Sequence, residues 1–328
     1  MKRFLSILLT AFMCILPLSA CSNDGKTTIR LNEVTHSVFY APLYVAIENG
    51  YLAEENIEIE LTNGGGADKS MTALLSKTAD IALMGPETVI YVQNQGKTDK
   101  PMVIGQLTQK DGSFLVSRNE EPNFTIESLR NKEILAGRRG GVPAMTFEYL
   151  LYENGMVNNT DYTLNYDVQF NLMTSAFVNG TADYCTVFEP TASEYQSQGI
   201  WHIVARVGEL SGEIPYTSFI ALQSYIDNNS QTIKGFFKGL KKAFDFINQS
   251  TDLQVAQAII NQFPATTINS IEVAVKNYRK IDAWKDDLQA TQSSFDRLQN
   301  IMIYSNELEE KLPFENIVDN TLAKQIFN

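Results

Sequence analysis

Apolar and polar positions follow two different periods along this chain, and the switches between them outline its elements. Residues 28–31 and 57–61 form short apolar runs of strand length, and 42–49 between them repeats apolar positions at helical spacing. Pro42 falls in that helix's first turn, where its missing N–H costs nothing, and Gly50 follows its end. The loop Asn63-Gly64-Gly65-Gly66 leads to Asp68, the expected N-cap of a helix reaching Ser76. A strand at 81–84, a helix over 86–94 and strands near 102–107 and 114–117 follow. The plan then recurs as a strand at 133–136, a helix over 143–154 closed by Gly155, and a strand around 166–170. Strands alternating with helices predict an α/β protein with mostly parallel sheets flanked by helices.

The recurrence is visible in the letters. Residues 73–88 read ALLSKTADIALMGPET and residues 176–191 read AFVNGTADYCTVFEPT, each running from a helix through a Thr-Ala-Asp turn and an apolar strand to a proline-started helix. Two related lobes account for the match, with generic α/β grammar as the alternative. A strand at 218–222 would return the chain from the second lobe to the first. After Ser230 the pattern becomes purely helical, over 232–248, 253–263, 268–280, 293–308 and 316–327. Phe236, Phe237, Leu240, Phe244 and Ile247 form a stripe expected to face a core.

The first residues add a location. Lys2 and Arg3 precede an apolar run over 4–18 that is shorter than the roughly 20 residues a spanning helix needs, as in a signal peptide over 1–20. Leu18-Ser19-Ala20-Cys21 looks like a bacterial lipobox, which makes Cys21 the expected lipidated residue and 21–28 a polar tether. Cleavage there would discard Cys14 and leave Cys185 as the one thiol, so an intrachain disulfide or a cysteine metal site is not expected. Cys185 sits in the apolar run Tyr184-Cys185-Thr186-Val187-Phe188 and reads as buried and inert. Losing Lys2 and Arg3 leaves 24 basic residues against 38 acidic ones, a net charge near −14, which argues against nucleic acid as a partner. With 44% hydrophobic residues the chain can bury two cores. The expected division is lobe 1 over 29–113 and 222–328 and lobe 2 over 114–221.

In an open parallel sheet, strand C-termini and helix N-termini meet at one edge, where unpaired backbone N–H groups face a crevice. Proline marks four such junctions here, at Ala41-Pro42, Gly85-Pro86, Val142-Pro143 and Glu189-Pro190. They propose a cleft walled by residues 36–40, 85–88, 137–141 and 188–189.

The stretches HSVFYAPLYVAIENGYLAEENIEIEL, TADIALMGPET, AGRRGGVPAMTFEYLLYENG and NGTADYCTVFEPTASEY, in this order over about 31–248, resemble the alkanesulfonate, nitrate, taurine and thiamine-pyrimidine family of solute-binding proteins. The resemblance implies a type II periplasmic-binding fold: two α/β lobes joined by two crossing strands, with a C-terminal helical extension on the first lobe. It implies closure over a small-molecule solute by a hinge motion and delivery to the permease subunits of an ABC importer by a monomer. It also places candidate contacts on the four junctions. Phe39 and Tyr40 are candidates to stack on a flat ligand, with lobe packing as the alternative; His36 is a candidate contact too, though a lone histidine more often bonds within its own loop. Gly85 would let backbone approach the solute beside Thr88, while Glu87 reads as an ordinary solvated charge at a helix start. Arg138, Arg139 and Gly140 suit an anion at a helix N-terminus, though either arginine has a structural alternative. Glu189, with Phe188 and Tyr216 as aromatic walls, suits an amino-substituted heterocycle, the alternative being that Glu189 caps its own helix.

That mixture leans toward an aromatic, thiamine-pyrimidine-like solute over an alkanesulfonate, taurine or nitrate. No catalytic residue, metal or cofactor is expected: His36 and His202 are the only histidines and no ligand spacing is present. The rival readings are an enzyme on the same fold, acting on pyrimidine or menaquinone precursors, and a sensor that docks on a membrane receptor.

Overall fold

The computed structural model describes residues 25–328 apart from Asn94 and Lys97; the leader over 1–20 and Cys21 lie outside the described residues. Ten strands among these residues fall into two five-stranded sheets. The first contains β1 (Thr27–Glu33), β2 (Ile57–Asn63), β3 (Ile81–Met84), β4 (Pro101–Lys110) and, late in the chain, β10 (Glu213–Leu222). Its order is β2-β1-β3-β10-β4, with β1, β2 and β3 parallel and β10 antiparallel to both neighbours. All four residues of β3 are buried, as expected of a strand covered on both faces.

The second sheet contains β5 (Ser113–Ser117), β6 (Glu133–Leu135), β7 (Thr163–Leu164), β8 (Tyr184–Phe188) and β9 (His202–Arg206), in the order β7-β6-β8-β5-β9. The β6 pairings are parallel and the β5 pairings antiparallel. Both sheets are therefore mixed, and the antiparallel strands are the ones at the crossings between sheets. β4 runs into β5 through Asp111 and Gly112, and the Ser113 N–H donates to Asp111 Oδ1 at 2.7 Å. A β-carbon on Gly112 would lie 2.5 Å from the Phe39 ring, so only glycine fits this crossing. β10 pairs with β4 from Glu213 opposite Lys110 to Leu222 opposite Pro101. The return crossing thus falls before Glu213, earlier than the 221/222 boundary expected from the apolar run at 218–222.

Other departures have local causes. The strand expected around 166–170 ends at Leu164, because Asn165 turns the chain: its side chain accepts from Asp167 N–H at 3.0 Å and donates to Glu133 at 2.8 Å. Gly66, not Asp68, is the N-cap of helix Ala67–Leu75, and Asp68 sits in the first turn. The last two helices are Gln292–Tyr304 and Thr321–Phe327, both shorter than expected. The sequence pattern carries no sign of β9, because all five of its residues are half-buried and show no alternation.

Helix Ser230–Gln249 buries Phe236, Phe237, Leu240, Phe244 and Ile247 and packs on helices Ala41–Glu48 and Thr321–Phe327. At about 2 kcal/mol for each large apolar side chain removed from water, this stripe is a main anchor of the first lobe. The extension also reaches the second sheet's side. Helix Ile268–Lys280 contacts helix Thr191–Ser197, and helix Gln292–Tyr304 contacts helix Val142–Glu153, where Arg297 pairs with Glu153 at 3.0 Å. Buried apolar residues form a large cluster running from the first sheet through Phe114, Val116 and Cys185, and a smaller one on the second sheet around Leu115, Ile134 and Phe147.

Candidate functional site

All four proline-marked junctions contribute to one cleft between the sheets. From the first sheet come Val34, Thr35, Tyr40, Ala67 and Gly85; from the second come Gly137, Arg138, Gly141, Val142 and Pro143. Phe170 and Phe188 form an aromatic flank, and Tyr216 and Thr217 of β10 form the back. The cavity itself measures ≈ 50 Å³, below the several hundred Å³ of a typical small-molecule site, so a solute needs the lobes to part before it can enter. Phe188 is 5.8 Å from Phe170, edge to face, and 6.3 Å from Tyr216 between ring centroids, so these rings pack on one another along the cavity. Among the described residues lining it, Arg138 alone is charged.

Of the candidates from sequence, the structure brings Tyr40, Gly85, Arg138, Phe188 and Tyr216 into this lining. Phe39 is buried behind it, 4.9 Å from Tyr278 and 5.9 Å from Phe188, with its carbonyl accepting from Trp284 Nε1 at 2.9 Å. His36 uses both ring nitrogens, bonding Glu33 Oε1 at 2.6 Å through Nδ1 and donating to Gln262 O at 2.8 Å through Nε2. Burial lowers its pKa, but the Glu33 hydrogen bond and charge more than offset this, and the net shift is upward. Thr88 donates to Gly85 O at 2.7 Å, closing its own turn. Gly140, with φ of 71°, presents its carbonyl to Tyr91 OH at 2.8 Å.

The two arginines separate. Arg138 turns to the cleft, with Asp68 3.7 Å from its Nε. Arg139 is exposed and lies over the Tyr166 ring at 4.3 Å. Glu189 is committed to structure: its Oε2 accepts from Ser193 N–H at 2.9 Å, and its Oε1 accepts from Ser193 Oγ and Asn277 Nδ2, both at 2.6 Å. His36 and Glu189 border a second depression that shares Thr35, Phe170 and Phe188 with the cleft.

Two acidic groups escaped the sequence reading. Glu87, expected in solvent, is 1% exposed. Helix Glu87–Gln93 carries Val89, Ile90 and Val92 inward and has no solvated face for its first turn, a signal present in the sequence. Burial pushes the Glu87 carboxyl up to about 7, against the pull of Arg138 and of the backbone amides of Glu87, Val142 and Thr88. Asp111, in the crossing between apolar runs, is pushed up to about 6 by burial, opposed by bonds from Ser113 and Tyr216. Burial likewise raises the Tyr40 and Tyr216 hydroxyls and the Cys185 thiol, which sits inside the core rather than at the cleft.

Two α/β units joined by crossing strands, with a lined cleft between them, define the periplasmic-binding class, and solved structures agree. The nitrate-binding protein NrtA of Synechocystis PCC 6803 superposes with a TM-score of 0.74 at 16% identity, over 92% of this chain and 88% of that one. The alkanesulfonate-binding protein SsuA of Xanthomonas axonopodis pv. citri, bound to MOPS, gives 0.69 at 15%, over 86% and 94%. The desulfurization enzyme DSZB shares the fold at 0.64 and 12%, over 92% and 99%. The chain belongs to the NMT1/THI5-like family, whose pattern matches residues 38–252. A Bacillus subtilis (strain 168) relative, YtlA, named as a candidate binding protein, is 39% identical over 94% of this chain and 93% of its own length.

Proposed function

We propose that this protein is an extracytoplasmic solute-binding lipoprotein, tethered through Cys21, that captures a small organic solute between its two lobes and hands it to an ABC importer. The observation that carries the reading is the interlobe cleft, lined from four strand-to-helix junctions and walled by Tyr40, Phe170, Phe188 and Tyr216. An aromatic lining suits a flat aromatic or heterocyclic solute, which gains apolar burial against it. The hinge is assigned to Asp111-Gly112 and to the segment ahead of Glu213, where the chain passes between sheets. Membership of a family with a named binding relative, and a fold shared with nitrate- and alkanesulfonate-binding proteins, support capture over catalysis.

The enzymatic alternative draws on DSZB, which has this fold. A cysteine or histidine mechanism lacks a free group, since Cys185 is buried in the core and His36 has both ring nitrogens engaged. The test is thermal unfolding of the soluble body with a panel of aminopyrimidines, flavin-like rings, sulfonates and nitrate. A bound solute at about 100 times its Kd adds about 2.7 kcal/mol and raises Tm. No rise with any class would overturn solute capture.

A further inference from the structure

The helix N-terminus that faces the cleft has a buried carboxyl from the opposite lobe beside it. Helix Val142–Glu153 begins at Gly141 with no side-chain cap of its own. Its first N–H groups carry partial positive charge and ordinarily attract an anion. Arg138 stands beside them as the one charged residue lining the cleft among the described residues. The Glu87 carboxylate interacts with both the Val142 amide and Arg138, yet its Oε2 has no hydrogen-bond partner among the described atoms. It lies directly behind the cleft wall, since a β-carbon on Gly85 would come within 2.1 Å of Oε2.

Building on the reading of the cleft as a solute site, we propose that Glu87 fills the seat a sulfonate, nitrate or carboxylate would take. It thereby restricts the cleft to solutes that carry no negative charge and bring N–H donors. An arriving anion meets a like charge where an open helix N-terminus would otherwise receive it, whereas an amino group on a ring finds an acceptor. The exclusion weakens in acid, because a protonated Glu87 becomes a neutral donor and its carboxyl is raised to about 7. The groups facing it are Arg138, with Asp68 behind that arginine, and the hydroxyls of Tyr40, Tyr91 and Tyr216.

The test is calorimetric titration of wild type, Glu87→Gln and Glu87→Ala with methanesulfonate and with cytosine, after their melting curves show that both variants are folded. Near pH 8, Glu87→Gln is expected to bind methanesulfonate at least about tenfold more tightly than wild type, and the gap is expected to close near pH 5.5 as wild type gains affinity. Equal affinities near pH 8, or no detectable methanesulfonate binding in any of the three, overturn the assignment of Glu87. If a panel solute still raises the wild-type Tm, solute capture survives that result; if none does, both readings fall together.

Discussion

Glu87 and Glu189 flank the helix-starting prolines of the two halves of the repeat, one just after its proline and one just before. Both are 1% exposed, yet their surroundings differ. Glu189 receives three hydrogen bonds, from the Ser193 amide, the Ser193 hydroxyl and Asn277, and holds helix Thr191–Ser197 to helix Ile268–Lys280. Glu87 keeps one oxygen without a partner and rests against the amide end of a helix from the other lobe. Equal burial therefore does not mean equal purpose. A satisfied buried carboxylate ties elements of the fold together, and an unsatisfied one at a cleft is placed for what arrives from outside.

Substitutions can break this contrast. Glu189→Ala removes a cap and strands the half-buried Ser193 and Asn277 donors, so urea unfolding should show a loss of about 2 kcal/mol. A loss under about 1 kcal/mol, the scale of an exposed position, would deny Glu189 its structural part.

Glu87→Gln should act in the opposite direction. A carboxyl raised in the folded state from 4.5 to about 7 contributes stability that is fully present below 4.5 and lost as pH rises through 7. That shift corresponds to roughly 3 kcal/mol, and Gln forfeits part of it with the attraction to Arg138. The variant should be about 2 kcal/mol more stable than wild type near pH 8 and nearly equal to it near pH 5. A difference that does not vary with pH would mean that Glu87 titrates normally. Part of the pH slope should remain in the variant, because Asp111 is also raised, to about 6.

The smallest effect belongs to Arg139→Ala. This exposed side chain lies over Tyr166 outside the cleft lining, so unfolding should change by at most about 1 kcal/mol and solute affinity should not change. Weaker binding of a solute would return Arg139 to the site.

The sequence announced the cleft's scaffold better than its chemistry. Proline at helix starts and the repeated Thr-Ala-Asp turn are local signals, and the four junctions they mark do line one cavity. Which side chain of a junction turns inward is decided by packing between elements far apart in the chain. Arg138 and Arg139 are adjacent and alike in letters, and only the position of Tyr166 separates them. Glu189 looked like a ligand group because Ser193 is an ordinary residue on its own and Asn277 lies on a remote helix. Phe170 was placed on a strand, and it reaches the cleft from a short helical turn after the Asn165 bend.

The most direct test of which solute the cleft takes is the wild-type melting temperature near pH 8 with an aminopyrimidine or with a sulfonate such as MOPS. The account predicts a rise with the ring compound and none with the sulfonate. A rise with MOPS alone would contradict it, showing that the helix N-terminus at Val142 is open to an anion after all.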